Sequence, residues 1–197
     1  MSDTVTRLRA AAEDLLLEKG QAATTLRDIT DRAGANVASV SYHFGSKDAL
    51  LTQVFQDVLR EATEIQRRRL EALPDDASLE DVVRVWLAPA LPDQDRDPRE
   101  ARLWSIVQRG MAEQAVGAGH ADVVRPVVEE QLVGRLASRL PHLGMEELML
   151  RHAATLAAIA VLGTSNLDLL FGAGRSERLA DLVVAWVVGG LQAPAAR

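Results

Sequence analysis

Gly20, Gly34 and Gly45 punctuate the stretch GQAATTLRDITDRAGANVASVSYHFGSKDALL so closely that only two short helices fit between them. Each has room for about two turns. Leu26, Ile29 and Ala33 recur at helical spacing before Gly34, and Val37, Val40 and Phe44 repeat it afterwards. Thr24 or Thr25 can cap the first helix, with Asp28 in its first turn, and Asn36 can cap the second. Two such helices joined at a glycine turn form a helix-turn-helix. With the six apolar positions taken as its core, the outer face of the second helix is Ala38, Ser39, Tyr42 and His43. A helix entering a major groove needs small side chains for close approach and donors for phosphate oxygens. Ala38 and Ser39 supply the first; Tyr42, His43 and the nearby Lys47 supply the second.

The flanking segments extend the pattern. A first helix over roughly Asp3 to Lys19 puts Leu8, Ala12, Leu15 and Leu16 on one face, with Gly20 suited to its end. Ser46 caps a fourth, long helix that carries Leu50, Leu51, Val54, Phe55, Val58, Leu59 and Ile65 toward Leu73. Beyond Pro74 the periodicity predicts helices at 78–90, 97–116, 120–140, 145–172 and 176–191. A polar linker, PALPDQDRDP, lies between the first two of these. No segment alternates as a strand does, so the fold class is all-α.

Composition closes off several functions. The 197 residues contain no cysteine, which excludes disulfides, thiolate catalysis and zinc–thiolate sites. His120, His142 and His152 lack metal-ligand spacing, and neither a nucleophile elbow nor a phosphate-cradling glycine loop is present. No enzyme, metal or cofactor is expected. Acidic residues among the N-terminal leucines argue against a signal peptide. The apolar runs Ala153–Gly163 and Leu182–Leu191 fall short of the ~20 residues a membrane span requires. A cytoplasmic protein is the expectation. The net charge of −6 counts against nucleic-acid binding as a bulk property. A small reading surface can still sit on an acidic protein, because local charge and geometry decide.

The motif TTLRDITDRAGANVASVSYHFGSKDALL resembles the DNA-binding signature of the tetracycline-repressor-like (TetR) family of bacterial transcription regulators. The matching pieces are Thr25, Arg27-Asp28-Ile29, Ala33-Gly34, Tyr42-His43-Phe44, Ser46-Lys47 and Leu50. The resemblance covers about the first fifty residues; it departs where many members carry a Gly-Thr-like pair and a tyrosine, positions held here by Ala38, Ser39 and Ser41.

The resemblance implies a three-helix DNA-binding domain over residues 1–47, joined by helix four (46–73) to an effector-binding and dimerisation domain over 48–197. It implies DNA contacts from Thr25, Arg27, Asn36, Ala38, Ser39, Tyr42, His43 and Lys47. A small hydrophobic effector is expected in the second domain, with Trp86, Trp104, Met111 and Phe171 as apolar lining and Arg102, Gln108 and His152 as polar anchors. A homodimer is expected through Leu156, Ile159, Leu162, Leu167, Leu182, Val183, Trp186 and Val187. The function so implied is a repressor that binds a near-palindromic operator and is released by its effector. The competing reading is a helical dimeric module for a ligand or protein partner that has lost DNA binding.

Overall fold

The computed structural model describes residues 3–91, 96–113, 131–164 and 176–195. Among these, helices account for all regular structure: α1 (Asp3–Ala23), α2 (Leu26–Ala33), α3 (Val37–Phe44), α4 (Lys47–Ala72), α5 (Leu79–Leu87), α6 (Pro98–Ala112), α7 (Gly134–Arg139), α8 (Met145–Thr164) and α9 (Ser176–Gln192). A single 3-10 turn, Ala88–Ala90, follows α5. The parts of the expected helices at 114–116, 120–130 and 165–172 lie outside the described residues.

The chain packs as two units. The first joins Met1–Ala62 to Pro98–Val123, and the second joins Thr63–Asp97 to Val124–Arg197. These boundaries differ from the functional division expected at residue 47, because the first half of α4 and all of α6 pack with α1–α3.

In the first unit, Leu8, Ala12, Leu15 and Leu16 of α1 are buried as their spacing predicts. Ile29 of α2, Val40 of α3, the apolar positions of α4 from Leu50 to Leu59 and Leu103, Ile106 and Val107 of α6 are buried in the same unit. Burying each leucine contributes roughly 1.5–3 kcal/mol before entropy is counted. Gly20 breaks α1 at φ 78°, a left-handed backbone that a glycine adopts without steric cost. The chain then turns once more before Thr24, whose hydroxyl donates to the Gly20 carbonyl at 2.5 Å.

The α6 helix is fastened to that break and to α1. Glu113 accepts from the Gln21 N–H at 3.0 Å, and a Cβ on Gly20 would overlap the Glu113 carboxylate. Arg102 pairs with Glu13 at 2.8 Å and with Asp14 at 2.5 Å, while Arg99 pairs with Glu13 and Glu61. Burial alone would push the Glu13 carboxyl up, but hydrogen bonds from Arg99 and Arg102 hold it below its ordinary value. Gly110 lies close against the Phe55 ring, which an added Cβ would overlap.

In the second unit, Ser78 caps α5 through a reciprocal box with Asp81. The core gathers Leu70, Val82, Val83, Leu136, Leu148 and Val184. Arg151 on α8 donates to the carbonyls of Gly190, Leu191, Ala193 and Pro194. That cation satisfies acceptors which the end of α9 leaves without helical partners. No helix among the described residues is long and apolar enough to cross a membrane.

Candidate nucleic-acid interface

The two short helices are set by caps at both ends. Thr25 Oγ1 accepts from the Asp28 N–H at 3.2 Å, and Asp28 Oδ2 accepts from the Thr25 N–H at 2.7 Å. This capping box contributes about 1 kcal/mol. Asp28 also holds Lys19 at 2.5 Å, which ties α2 to the end of α1. The Lys19 ammonium, then the Thr25 hydroxyl and N–H, hold the Asp28 carboxyl far below its ordinary value. Gly34 ends α2 in the left-handed region at φ 58°, and the Asn36 side chain then accepts from the Ala38 N–H at 3.0 Å to start α3.

With its ends so fixed, α3 turns Val40 inward, where it is 1% exposed, and turns Tyr42 outward at 84%. The Tyr42 and His43 rings meet edge to face with centroids 4.8 Å apart, so the two aromatic donors form one exposed platform. Ala38 is exposed and Ser39 half-buried. Arg27 extends into solvent from α2, with only a 3.5 Å pairing to Asp31. Lys47 is drawn inward, since its ammonium donates to the Thr24 carbonyl at 3.0 Å and sits 3.2 Å from Asp48. That bond braces the first turn of α4 against the entry to α2.

One expected core residue departs from its spacing. Val37, grouped with Val40 and Phe44, is 48% exposed. It is the first residue of α3, and a helical side chain leans toward the N-terminus. Val37 therefore leans past the end of its own helix instead of onto the helices behind it. Ser41 also lies on the exposed side. Its position directly after the cap was the available signal for Val37.

The expected effector residues fall in both units. Trp86 and His152 come together in the second, their rings stacked at 4.9 Å and 19°. His152 is 5% exposed with no partner for Nε2, and burial pushes its pKa down. Gln66, which sequence reasoning missed, donates to the carbonyls of Val85 and Trp86 and leaves a buried Oε1 without a partner. Arg102, Trp104, Gln108 and Met111 stand on α6 in the first unit, and Arg102 is engaged by Glu13 and Asp14. Phe171 lies outside the described residues.

The expected dimer residues also divide. Leu156, Leu182 and Trp186 are exposed, Leu182 at 60% and Trp186 at 63%. Val187 is buried in the core of its own unit, with Val183 packed beside it. Leu167 lies outside the described residues, and the side chains of Ile159 and Leu162 are not among those described.

Residues 8–54 match the model of the family described as bacterial regulatory proteins, tetR family. The chain is 34% identical over 134 residues to an HTH-type transcriptional repressor of Mycobacterium tuberculosis, Rv3405c, covering 64% of this chain and 62% of that protein. The matched region thus spans about 62% of the length of this relative. A Rhodococcus transcriptional regulator superposes with a TM-score of 0.61 at 22% identity, over 97% of this chain and 99% of that one. A Saccharomonospora viridis structure in complex with choline superposes with a TM-score of 0.62 at 18% identity, over 96% and 95%. At these identities the two superpositions speak for the fold.

Proposed function

We propose that this chain, whose residues 8–54 match the model of the tetR family of bacterial regulatory proteins, is a member of that family and a DNA-binding transcriptional repressor. It acts as a cytoplasmic homodimer on a near-palindromic operator, from which a small hydrophobic effector releases it. The observation that carries this reading is the uncovered outer face of α3, with Tyr42 at 84% exposure opposite a fully packed Val40. A helix capped at both ends and bare on one side is suited to a groove.

In the proposed complex, α3 lies in the major groove, and Ala38 and Ser39 let its backbone come close. Tyr42 and His43 donate to phosphate oxygens and Arg27 adds a charge-assisted contact. Thr25, Asn36 and Lys47 act chiefly by holding the two helices in place, since each is already engaged within the protein. Two copies related by a two-fold axis set their α3 helices in successive major grooves, about 34–36 Å apart. Leu156, Leu182 and Trp186, exposed in the second unit, are proposed to form the dimer face.

Residues 1–47 are the DNA-binding part and 48–197 the sensing and dimerising part. The effector site is placed at Trp86, His152 and Gln66. Two buried polar atoms without partners and one aromatic face suit a largely apolar molecule with a few hydrogen-bonding groups. The Saccharomonospora neighbour holding choline supports a small-molecule site in this fold. Effector and operator oppose each other by the same factor in both directions.

Fluorescence anisotropy on DNA flanking the protein's own gene, beside an unrelated duplex and at two salt concentrations, tests the reading. Saturable binding to one near-palindromic fragment is expected. The salt dependence should be modest, since few cations face the groove. Tyr42→Ala should weaken binding about ten-fold, a loss of roughly 1–2 kcal/mol, without altering the oligomeric state. Absence of salt-dependent binding to any duplex overturns the regulator reading in favour of a ligand-binding module.

A further inference from the structure

We infer that Val37 is a specificity residue of the DNA interface, reading the C5-methyl group of a thymine in each operator half-site. The inference rests on the DNA-binding reading above and adds the base chemistry that α3 selects. Helical spacing assigns Val37 to the core, yet 48% of it is exposed while Val40 is 1% exposed. The exposed residues of α3 are Val37, Ala38, Ser41, Tyr42 and His43. None is an arginine or lysine that could grip guanine O6 and N7, and none is a glutamine that could pair with adenine. Asn36 is the amide nearest this end of the helix. Its Oδ1 accepts from the Ala38 N–H at 3.0 Å, so a bidentate contact to adenine would uncap α3.

What remains at the leading end of α3 is methyl surface, with hydroxyls one turn behind. Among major-groove base edges, the thymine methyl is the apolar one. Val37 reaches farther than Ala38 because it carries two methyl groups beyond Cβ. Its β-branch also restricts χ1, so it has little rotamer freedom to lose on contact. The predicted half-site therefore depends on an A·T pair beneath the start of α3.

The test begins with duplexes enriched by the full-length protein from a random-sequence library. Each thymidine of the enriched duplex is replaced in turn by deoxyuridine, which removes only the methyl group, and affinity is read by anisotropy. One position per half-site should lose about four-fold, the effect of burying one methyl-sized group. Val37→Ala should bind the thymine and uracil duplexes equally, and Val37→Thr, which keeps one of the two methyls, should fall between. Both variants should melt close to the wild type, because the side chain is half-exposed. A flat scan, or a loss that persists unchanged in Val37→Ala, overturns this inference while leaving DNA binding intact. A protein that enriches no duplex overturns both.

Discussion

Burial holds His152 as a neutral imidazole against the Trp86 ring, with its pKa below the ordinary 6.5. The unfolded chain takes up that proton near its ordinary pKa, and the folded chain resists it. The contribution to stability is therefore complete above about 6.5 and is lost as pH falls below it. His152→Gln should lose overall stability yet show a smaller drop in Tm between about pH 7.5 and 5.5 than the wild type. Equal drops in the two proteins would assign the sensitivity elsewhere. Asp28 acts in a different window, since its folded pKa is depressed. Its contribution is present above about 3.9, the unfolded carboxyl's value, and is lost only under stronger acid. At this scale the sequence is legible where a residue acts on its near neighbours. Thr25, Asn36 and Ser46 bond groups two or three residues away, and each was identifiable as a cap. Gln66 was not, because its partners are the carbonyls of Val85 and Trp86 on another helix.

Helix boundaries follow the same rule of range. Gly20, Gly34 and Gly45 all carry positive φ, and each interrupts or ends a helix where the sequence places a break. Partners of whole helices are less legible. The α6 face bearing Arg102 was expected to line a pocket, but Glu13 and Asp14 of α1 engage that guanidinium. Nothing in the α6 sequence discloses acidic partners so distant along the chain. Gly110 is similar, looking like an ordinary helix-interior glycine until Phe55 is found against it. Gly110→Ala raises local helix propensity, so an isolated helix would gain roughly 1 kcal/mol. In the folded protein the added methyl must displace the Phe55 ring, and overpacking of this kind costs about 1–3 kcal/mol. A Tm below the wild type is expected; an increase would mean that the ring moves aside freely.

At the scale of the molecule, the proposed dimer leaves an exposed tryptophan and leucine to be covered. Leu182 and Trp186 lie one turn apart on α9, so a single charge on that face reaches both neighbourhoods. In sedimentation velocity, Trp186→Glu should shift the protein from dimer to monomer while its Tm stays near the wild type. Operator affinity should fall with it, because coupling between half-sites is lost. An unchanged sedimentation coefficient would place the interface on another face. The first unit, finally, is discontinuous: α6 completes it only after residues 63–97 have been passed. The ribosome therefore releases the proposed DNA-reading helices before the wall behind α1 exists. A gene fragment ending at codon 62 would encode a reader that lacks Leu103, Ile106 and the Glu113 anchor. Grafting this reader onto another sensor consequently calls for α6 to be spliced back behind α4, with the intervening segment exchanged for the new sensor.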